Sequence, residues 1–454
     1  MPDLNTTKEQ PADVASDPFA PRFALFLPVS ALLFIAALTF AFPLPPLADW
    51  PEWVFQAEVF NRLLRGELSD SFHLASYPVP YAAIQLLTSG FIELLGAVAA
   101  ARAVILLYGV LGIALLARLI ARRGIEPYLG WSVGVCAILL NTSFFNGYIG
   151  FQFGLLLIVL YLGRDTRRPP TAFEVALLST SAFLLHGMAY LALMIFIGCA
   201  SIADKTVRRT ALAAVPSVAL AAWYAIASRA HPVHTAIPGA ERLLSLVARV
   251  AKVAYRVVKV GPYHNFVVDG RGDAERFGRW YLALGALSCV VLLALLALVI
   301  AAGLRRRQGK LVSPLFLASA VLAVAALALP PFAMGIVNPG ERLLAPAVLG
   351  LMVALAARTS AVTLVSRAGK VMASAVLAGT ALSAVSLLSW RGALPETAFA
   401  PVEVAENKPF QHLPFSHFDR KEWIAGWPVN ARAVPALVFE TALVRNGSSP
   451  TASR

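Results

Sequence analysis

Apolar runs of about 17–25 residues recur along most of this chain, and each is long enough to cross the ~30 Å hydrocarbon core of a bilayer. The chain is 58% hydrophobic and 14% charged, whereas a soluble protein of this size carries far more charge on its surface. The alternating ten-residue segments of a membrane β-barrel are absent from the sequence. The sequence therefore predicts an all-α polytopic membrane protein.

The formal net charge of +13 reflects basic clusters between the apolar runs. Basic loops of this kind are typical of the cytoplasmic side of membrane proteins, so they indicate topology and argue against nucleic-acid binding. With every cluster inside, we predict about 11 transmembrane helices, a cytoplasmic N-terminus and an external C-terminus in the inner (plasma) membrane. The predicted spans lie near 22–42, 100–121, 128–145, 148–163, 172–185, 188–202, 210–227, 279–303, 314–332, 343–357 and 371–389.

This topology divides the chain into three parts. Residues 1–21 form a disordered cytoplasmic tail, residues 22–389 a transmembrane domain, and residues 390–454 an external tail. The domain has external loops at 43–99 and 228–278, and we expect two interfacial helices in the first of them.

One segment of the domain has two interpretations. Residues 172–202 form either a tight hairpin with His186 at its external tip or one long tilted helix. The rule that basic loops lie on the cytoplasmic side of the membrane favours the hairpin.

Asp49 lies just after the first predicted span and is our candidate catalytic residue. A carboxylate at the external membrane face can deprotonate or orient an acceptor as it attacks an activated sugar carbon. The alternative is structural, because Asp49-Trp50-Pro51-Glu52 also spells a helix capping box. Both roles are compatible, since capping a helix holds the carboxylate in place.

Five further residues are candidates for substrate binding, and each has an ordinary structural alternative. Two of them are tyrosines that flank the Pro-x-Pro start of an interfacial helix. One is a histidine that we predict at a hairpin tip. The other two are arginines, which are suited to phosphate contact. One arginine belongs to an amphipathic stripe over 240–260, and the other to a short external turn. The alternatives are interfacial anchoring, hydrogen bonding within the fold and binding to lipid headgroups. These residues are Tyr77, Tyr81, His186, Arg242 and Arg342.

The sequence predicts no cofactor. It contains no nucleotide-binding loop or Rossmann fingerprint. The external acids and histidines have no spacing that identifies a metal site. A divalent metal remains compatible with the loop acids but has no support from their spacing.

The order of these features resembles the GT-C superfamily of membrane glycosyltransferases, which includes protein O-mannosyltransferases and the aminoarabinose transferase of lipid A. The resemblance rests on Asp49, then Pro78-Val79-Pro80-Tyr81, then Gly96 to Ala101-Arg102-Ala103, then Leu116-Ala117-Arg118 to Arg122-Arg123, then the basic tip residue His186. It covers about residues 22–200 in order, and the remainder only as a hydropathy pattern.

The resemblance implies transfer of a sugar from a polyprenyl-phosphate donor to an external glycan, lipid or protein of the cell envelope. Asp49 is then the base or acceptor-orienting acid, and His186, Arg242 and Arg342 stabilise the leaving phosphate. The partners are membrane lipids and the lipid-linked sugar. Two alternatives stay open: a transporter or flippase of a lipid-linked or acidic solute, and a polysaccharide polymerase or ligase.

Overall fold

We describe a computed structural model of the protein. It describes residues 24–41, 45, 47, 49–67, 72–165, 168–230, 260–261, 297, 313–329, 332–333, 336–337, 339–356, 362–391 and 438–440.

The described part of the chain is almost entirely helical. Its helices are α1 (Phe26–Ala41), α2 (Trp50–Leu64), α3 (Ala82–Leu95), α4 (Ala97–Arg123), α5 (Pro127–Gly134), α6 (Thr142–Phe145), α7 (Ile149–Leu162), α8 (Ala172–Leu185), α9 (Gly187–Ala203), α10 (Val207–Ala230), α11 (Pro314–Ala328), α12 (Pro339–Ala356) and α13 (Val362–Arg391). A π-helical turn, Val135–Leu139, follows α5. Four short strands, β1 (Phe72–Leu74), β2 (Phe332–Ala333), β3 (Ile336–Val337) and β4 (Val438–Glu440), complete the described structure.

Three helical segments of the described chain are long and apolar enough to cross a membrane: Ala97–Arg123, Pro127–Phe145 and Val207–Ala227. Other apolar helices, such as α7 and α8, have 14 residues each. At about 1.5 Å per residue these are shorter than the hydrocarbon core. The described part of the chain is therefore all-α and contains three candidate membrane spans.

The chain breaks at His186, where the backbone is extended with φ −171° and ψ 127°. Helices α8 and α9 on either side of it pack against each other. The hairpin interpretation of residues 172–202 is therefore confirmed, and the single long helix is wrong.

One group of helix ends meets around Asp49. The Asp49 N–H donates to the carbonyl of Asn146 at 3.0 Å, and the Arg342 guanidinium lies 4.1 Å from the ring centroid of Tyr148. We call this the Asp49 end of the bundle. Its residues are Asp49, Tyr81, Asn146, Gly147, Tyr148, Gly150, His186 and Arg342.

A second group of helix ends meets around Arg123, which we call the Arg123 end. The Arg123 guanidinium donates to the carbonyl of Leu162 at 2.7 Å and so caps the last turn of α7. The Lys370 ammonium lies 5.6 Å from the ring centroid of Tyr128, which joins α13 to α5. Consecutive helices such as α4, α5–α6 and α7 run alternately between these two ends.

The π-helical turn lies in the segment that leads from α5 to the Asp49 end. Tyr108 of α4 is fully buried, and its hydroxyl donates to the Ile138 carbonyl in this turn. The side-chain amide of Gln152 lies 3.1 Å from the same hydroxyl, and Asn141 caps α6 by accepting the Phe144 N–H at 2.9 Å. Backbone groups freed by the π turn thus find partners inside an apolar bundle, and the turn after α6 is held in place.

Arg342 is placed differently from the prediction. It was expected on a short external turn, but it belongs to the first turn of α12, which begins at Pro339. Proline early in a helix is favourable, since the first turn needs no internal N–H donor. Helix α12 therefore carries Arg342 on regular backbone.

The strand pair β1–β4 links the first predicted external loop to the C-terminal tail. The two strands are antiparallel, with Phe72 opposite Glu440 and Leu74 opposite Val438. The 1–21 tail, nearly all of the 228–278 loop, the span at 279–303 and most of the 390–454 tail lie outside the described residues.

Candidate functional site

Asp49 occupies the N-cap position of α2, as the sequence predicted, but its side chain makes no capping hydrogen bond. The reason is local, because its backbone is near-helical with φ −97° and ψ −7°, whereas a capping residue is usually extended. The capping interpretation of the carboxylate is therefore wrong. The carboxyl group is left available for other interactions.

The turn after α6 holds the Asp49 backbone. Gly147 has φ +75°, and a Cβ at this position would lie 2.7 Å from the Asp49 nitrogen and 2.5 Å from the Trp50 nitrogen. The Asn146 carbonyl just before it accepts the Asp49 N–H. Only glycine permits this approach and this backbone conformation together.

The Asp49 residue is partly exposed, yet its carboxyl group is surrounded by protein. Desolvation raises the pKa of this carboxyl from 3.8 to about 7, and the positive charge of Arg342 opposes the rise. A carboxyl with this pKa changes its charge at neutral pH, which is the range that suits a general base.

Arg342 supplies a buried positive charge beside Asp49. The residue is 6% exposed, and its guanidinium lies over the face of the Tyr148 ring in cation–π geometry. The ion pairs closer than 4 Å in the described chain join Arg62 and Arg65, at the end of α2, to Glu67 and Glu93. None of them includes Arg342, so Arg342 acts on Asp49 over a longer distance.

Two buried donors at this end have no acceptor among the described residues. They are the Arg342 Nε and the indole nitrogen of Trp50, which is itself fully buried. Leaving such donors unpaired is costly, and it is typical of sites where a ligand or water supplies the acceptor. An anionic ligand beside Arg342 would satisfy its positive charge and its Nε donor.

His186 caps α9, and its ring contacts the ring of Tyr81. Its Nδ1 accepts the Met188 N–H at 3.0 Å, so the proton of the neutral ring is on Nε2. Burial, aided by the charge of Arg342, lowers the pKa of His186 well below 6.5. The histidine is therefore a neutral donor with a structural role as a cap, which confirms the structural interpretation. Its contact with a phosphate stays a prediction.

Tyr81 and Tyr77 lie at the start of α3, and Tyr81 contacts residues of the Asp49 end. The Tyr81 ring stacks on Trp53 at 5.1 Å and meets the edge of His186 at 4.7 Å. Its φ of 83° is unusual for a non-glycine residue, and such backbone strain is concentrated at functional sites. Tyr77 instead lies 6.2 Å from Tyr224 of α10.

The structure thus brings together Asp49, Tyr81, His186 and Arg342, while Arg242 lies outside the described residues. Sequence reasoning missed Tyr148, the platform for Arg342. Its signal was an aromatic residue directly after the Asn-Gly turn between two apolar helices. In the described chain, no three His, Cys, Asp or Glu side chains are grouped to hold a metal ion.

The close approach at Gly147 predicts the effect of Gly147→Ala. The new Cβ would push the Asp49–Trp50 backbone away and occupy an unfavourable φ, which costs about 1–3 kcal/mol of stability. Thermal unfolding of the purified protein measures this. Gly198→Ala is the control, because a Cβ at Gly198 meets nothing within 4 Å. Equal melting temperatures for the two variants would contradict the geometry.

The charge environment predicts the titration of Asp49. Infrared difference spectra of wild type against Asp49→Asn should show a carboxyl that ionises with a midpoint near pH 7, because its folded pKa is raised to about 7. Arg342→Gln removes the opposing positive charge, so the midpoint should move to higher pH. Arg118→Gln removes the same charge from an exposed position near the Arg123 end of α4 and should leave the midpoint unchanged. A wild-type midpoint near 4 would refute the environment described.

We compared the chain with protein-family models, with curated proteins and with solved structures, and none of the three comparisons found a match. A function must therefore be inferred from the geometry and charges of the Asp49 end.

Proposed function

We propose that the protein is an integral membrane glycosyltransferase of the GT-C type, which transfers a sugar from a polyprenyl phosphate to an external acceptor. The observation that carries the proposal is the meeting of Asp49 and Arg342 at one end of the bundle. The pKa of Asp49 is about 7, and the Arg342 Nε has no acceptor among the described residues. A base and a buried cation in one place suit a displacement with an anionic leaving group.

The reaction needs one proton acceptor and one site for developing negative charge. The Asp49 carboxylate takes the proton from the acceptor's hydroxyl or amine as that group attacks the anomeric carbon. The bond from this carbon to the phosphate oxygen breaks, and the electron pair leaves with the phosphate. Arg342 stabilises the new charge, and the Nε2–H of His186 is a neutral donor close to it.

The aromatic residues of the cluster suit the sugar. Tyr81 and Trp53 form a stacked pair beside His186. Aromatic faces bind the apolar C–H faces of sugars, and they also exclude water from the reacting centre. Tyr148 acts on the reaction through Arg342, whose guanidinium it positions.

We further propose the complete topology, with about 11 spans in the inner (plasma) membrane. The two groups of helix ends support it. Contacts such as Asp49–Asn146 join ends predicted to be external, whereas Arg123–Leu162 joins ends predicted to be cytoplasmic. In this topology, a helix shorter than the hydrocarbon core crosses the membrane together with the residues that flank it, or at a place where the bilayer is locally thinner. The catalytic residues lie at the external face in this arrangement.

The topology predicts a labelling pattern for two exposed positions. After replacing the native cysteines by alanine, Ser76→Cys should react with a membrane-impermeant maleimide in intact spheroplasts. Ala172→Cys, at the start of α8, should react only after the membrane is opened. The opposite pattern, or labelling of both sites in intact spheroplasts, would overturn the orientation.

The mechanism predicts that Asp49→Asn abolishes transfer in a folded protein. The change keeps the side-chain size and removes the base, which typically costs about 10²–10⁴-fold in rate. The test is transfer of radiolabelled sugar from polyprenyl-phosphate donors to cell-envelope fractions. Gel-filtration profile and melting temperature are the folding controls.

Three results of the transfer assay are informative. Full activity of Asp49→Asn would remove Asp49 from the mechanism. Uptake or flipping of the donor without transfer by the wild-type protein would favour the transporter alternative. Chain-length growth of a polysaccharide would favour the polymerase.

A further inference from the structure

A second polar site lies where α8 and α10 begin, away from Asp49. A cavity of about 680 Å³ opens there, and its lining includes the basic side chains of Lys205, Arg208 and Arg209. The remaining lining residues, among them Ala172 and Leu212, are uncharged. The described residues of the lining thus carry three positive charges and include no acid.

Among the described residues, no acid forms an ion pair closer than 4 Å with Lys205, Arg208 or Arg209. Glu174 is used by the capping box of α8, where its carboxylate accepts the Thr171 N–H at 2.7 Å. Asp204 precedes Lys205 in the chain but is not part of the lining. The first turn of α10, which carries Arg208 and Arg209, adds N–H groups that the helix itself does not use.

An exposed apolar surface continues from the cavity along the two helices. Phe173 and Leu177 of α8 are 74% and 54% exposed, and Leu212 and Val215 of α10 are 65% and 54% exposed. Helix α10 includes one of the three segments long and apolar enough to span a membrane. The surface therefore presents cations at the depth of headgroups and apolar side chains at the depth of acyl chains.

We propose that this cavity binds the phosphate of an anionic phospholipid, in the leaflet where α8 and α10 begin, with the acyl chains against the exposed apolar residues. If α10 crosses the bilayer, its exposed apolar side chains face acyl chains directly beside the cations. A phospholipid then places its phosphate in the cavity and its chains along these side chains. The proposal is independent of the Asp49 cluster and of any transferase activity.

The first test is native mass spectrometry of the delipidated full-length protein in detergent. The probes are phosphatidylglycerol and phosphatidylcholine with identical acyl chains. The wild type should bind phosphatidylglycerol preferentially. Replacing Lys205, Arg208 and Arg209 together by glutamine should weaken that binding by about tenfold to a hundredfold, since each basic residue near an anionic surface contributes roughly fivefold. Equal binding of the two lipids by the wild type would overturn the proposal.

Two matched variants distinguish a specific lipid-binding site from a general effect of positive charge on lipid binding. Replacing Arg118, Arg122 and Arg367 by glutamine removes the same charge from exposed positions outside the cavity and should preserve phosphatidylglycerol binding. Ala172→Trp places a large side chain in the cavity from an exposed helix start and leaves every charge in place, so it should weaken the binding. Loss in the first variant, or retention in the second, would contradict a specific site.

Inorganic phosphate distinguishes the two possible sources of the anion. If millimolar phosphate displaces phosphatidylglycerol, the site recognises a free anion and the lipid assignment is wrong. If phosphate has no effect, the acyl chains contribute as proposed. Ala172→Trp and the wild-type lipid comparison remain decisive even if the triple glutamine variant of the cavity fails to fold.

Discussion

The arrangement at the Asp49 end depends on a carboxyl and a guanidinium that share a poorly solvated space at the ends of several helices. Burial of charge in such a space is costly, and the cost falls when the opposite charge is nearby. Here the pair is incomplete, since Asp49 has a pKa near 7 and the Arg342 Nε has no acceptor in the described chain. An apolar bundle retains such a pair only if the surrounding backbone holds both groups in place.

That backbone is supplied by short irregular segments between apolar helices. The Asn146 carbonyl and Gly147 hold the start of α2, and the Tyr148 ring holds Arg342 at the start of α12. Next to these segments, the Tyr108 hydroxyl donates to the Ile138 carbonyl of the π-helical turn and lies 3.1 Å from the side-chain amide of Gln152. The buried Tyr108 hydroxyl is thus paired with protein. The Arg342 Nε and the Trp50 indole nitrogen have no acceptor among the described residues, which is the pattern expected where a ligand supplies one.

Much of the fold could be predicted from apolar run length and charge. The break at His186 followed from the charge rule, and the starts of α2 and α3 followed from prolines near Trp50 and Tyr81. The details of the site could not be predicted, because they depend on contacts between distant segments. The near-helical backbone at Asp49 abolishes the capping bond, and the contact of Tyr148 with Arg342 joins residues almost 200 positions apart.

The proposed recognition of a lipid-linked phosphate by Arg342 and its neighbours can be tested by a binding measurement that needs neither an acceptor nor a sugar. The purified protein is titrated with a polyprenyl phosphate and with the matching polyprenol, and the melting temperature is followed. The phosphate should stabilise the wild type more than the alcohol does, and Arg342→Gln should abolish the difference. Equal stabilisation by the two lipids, or an unchanged preference in Arg342→Gln, would contradict the account.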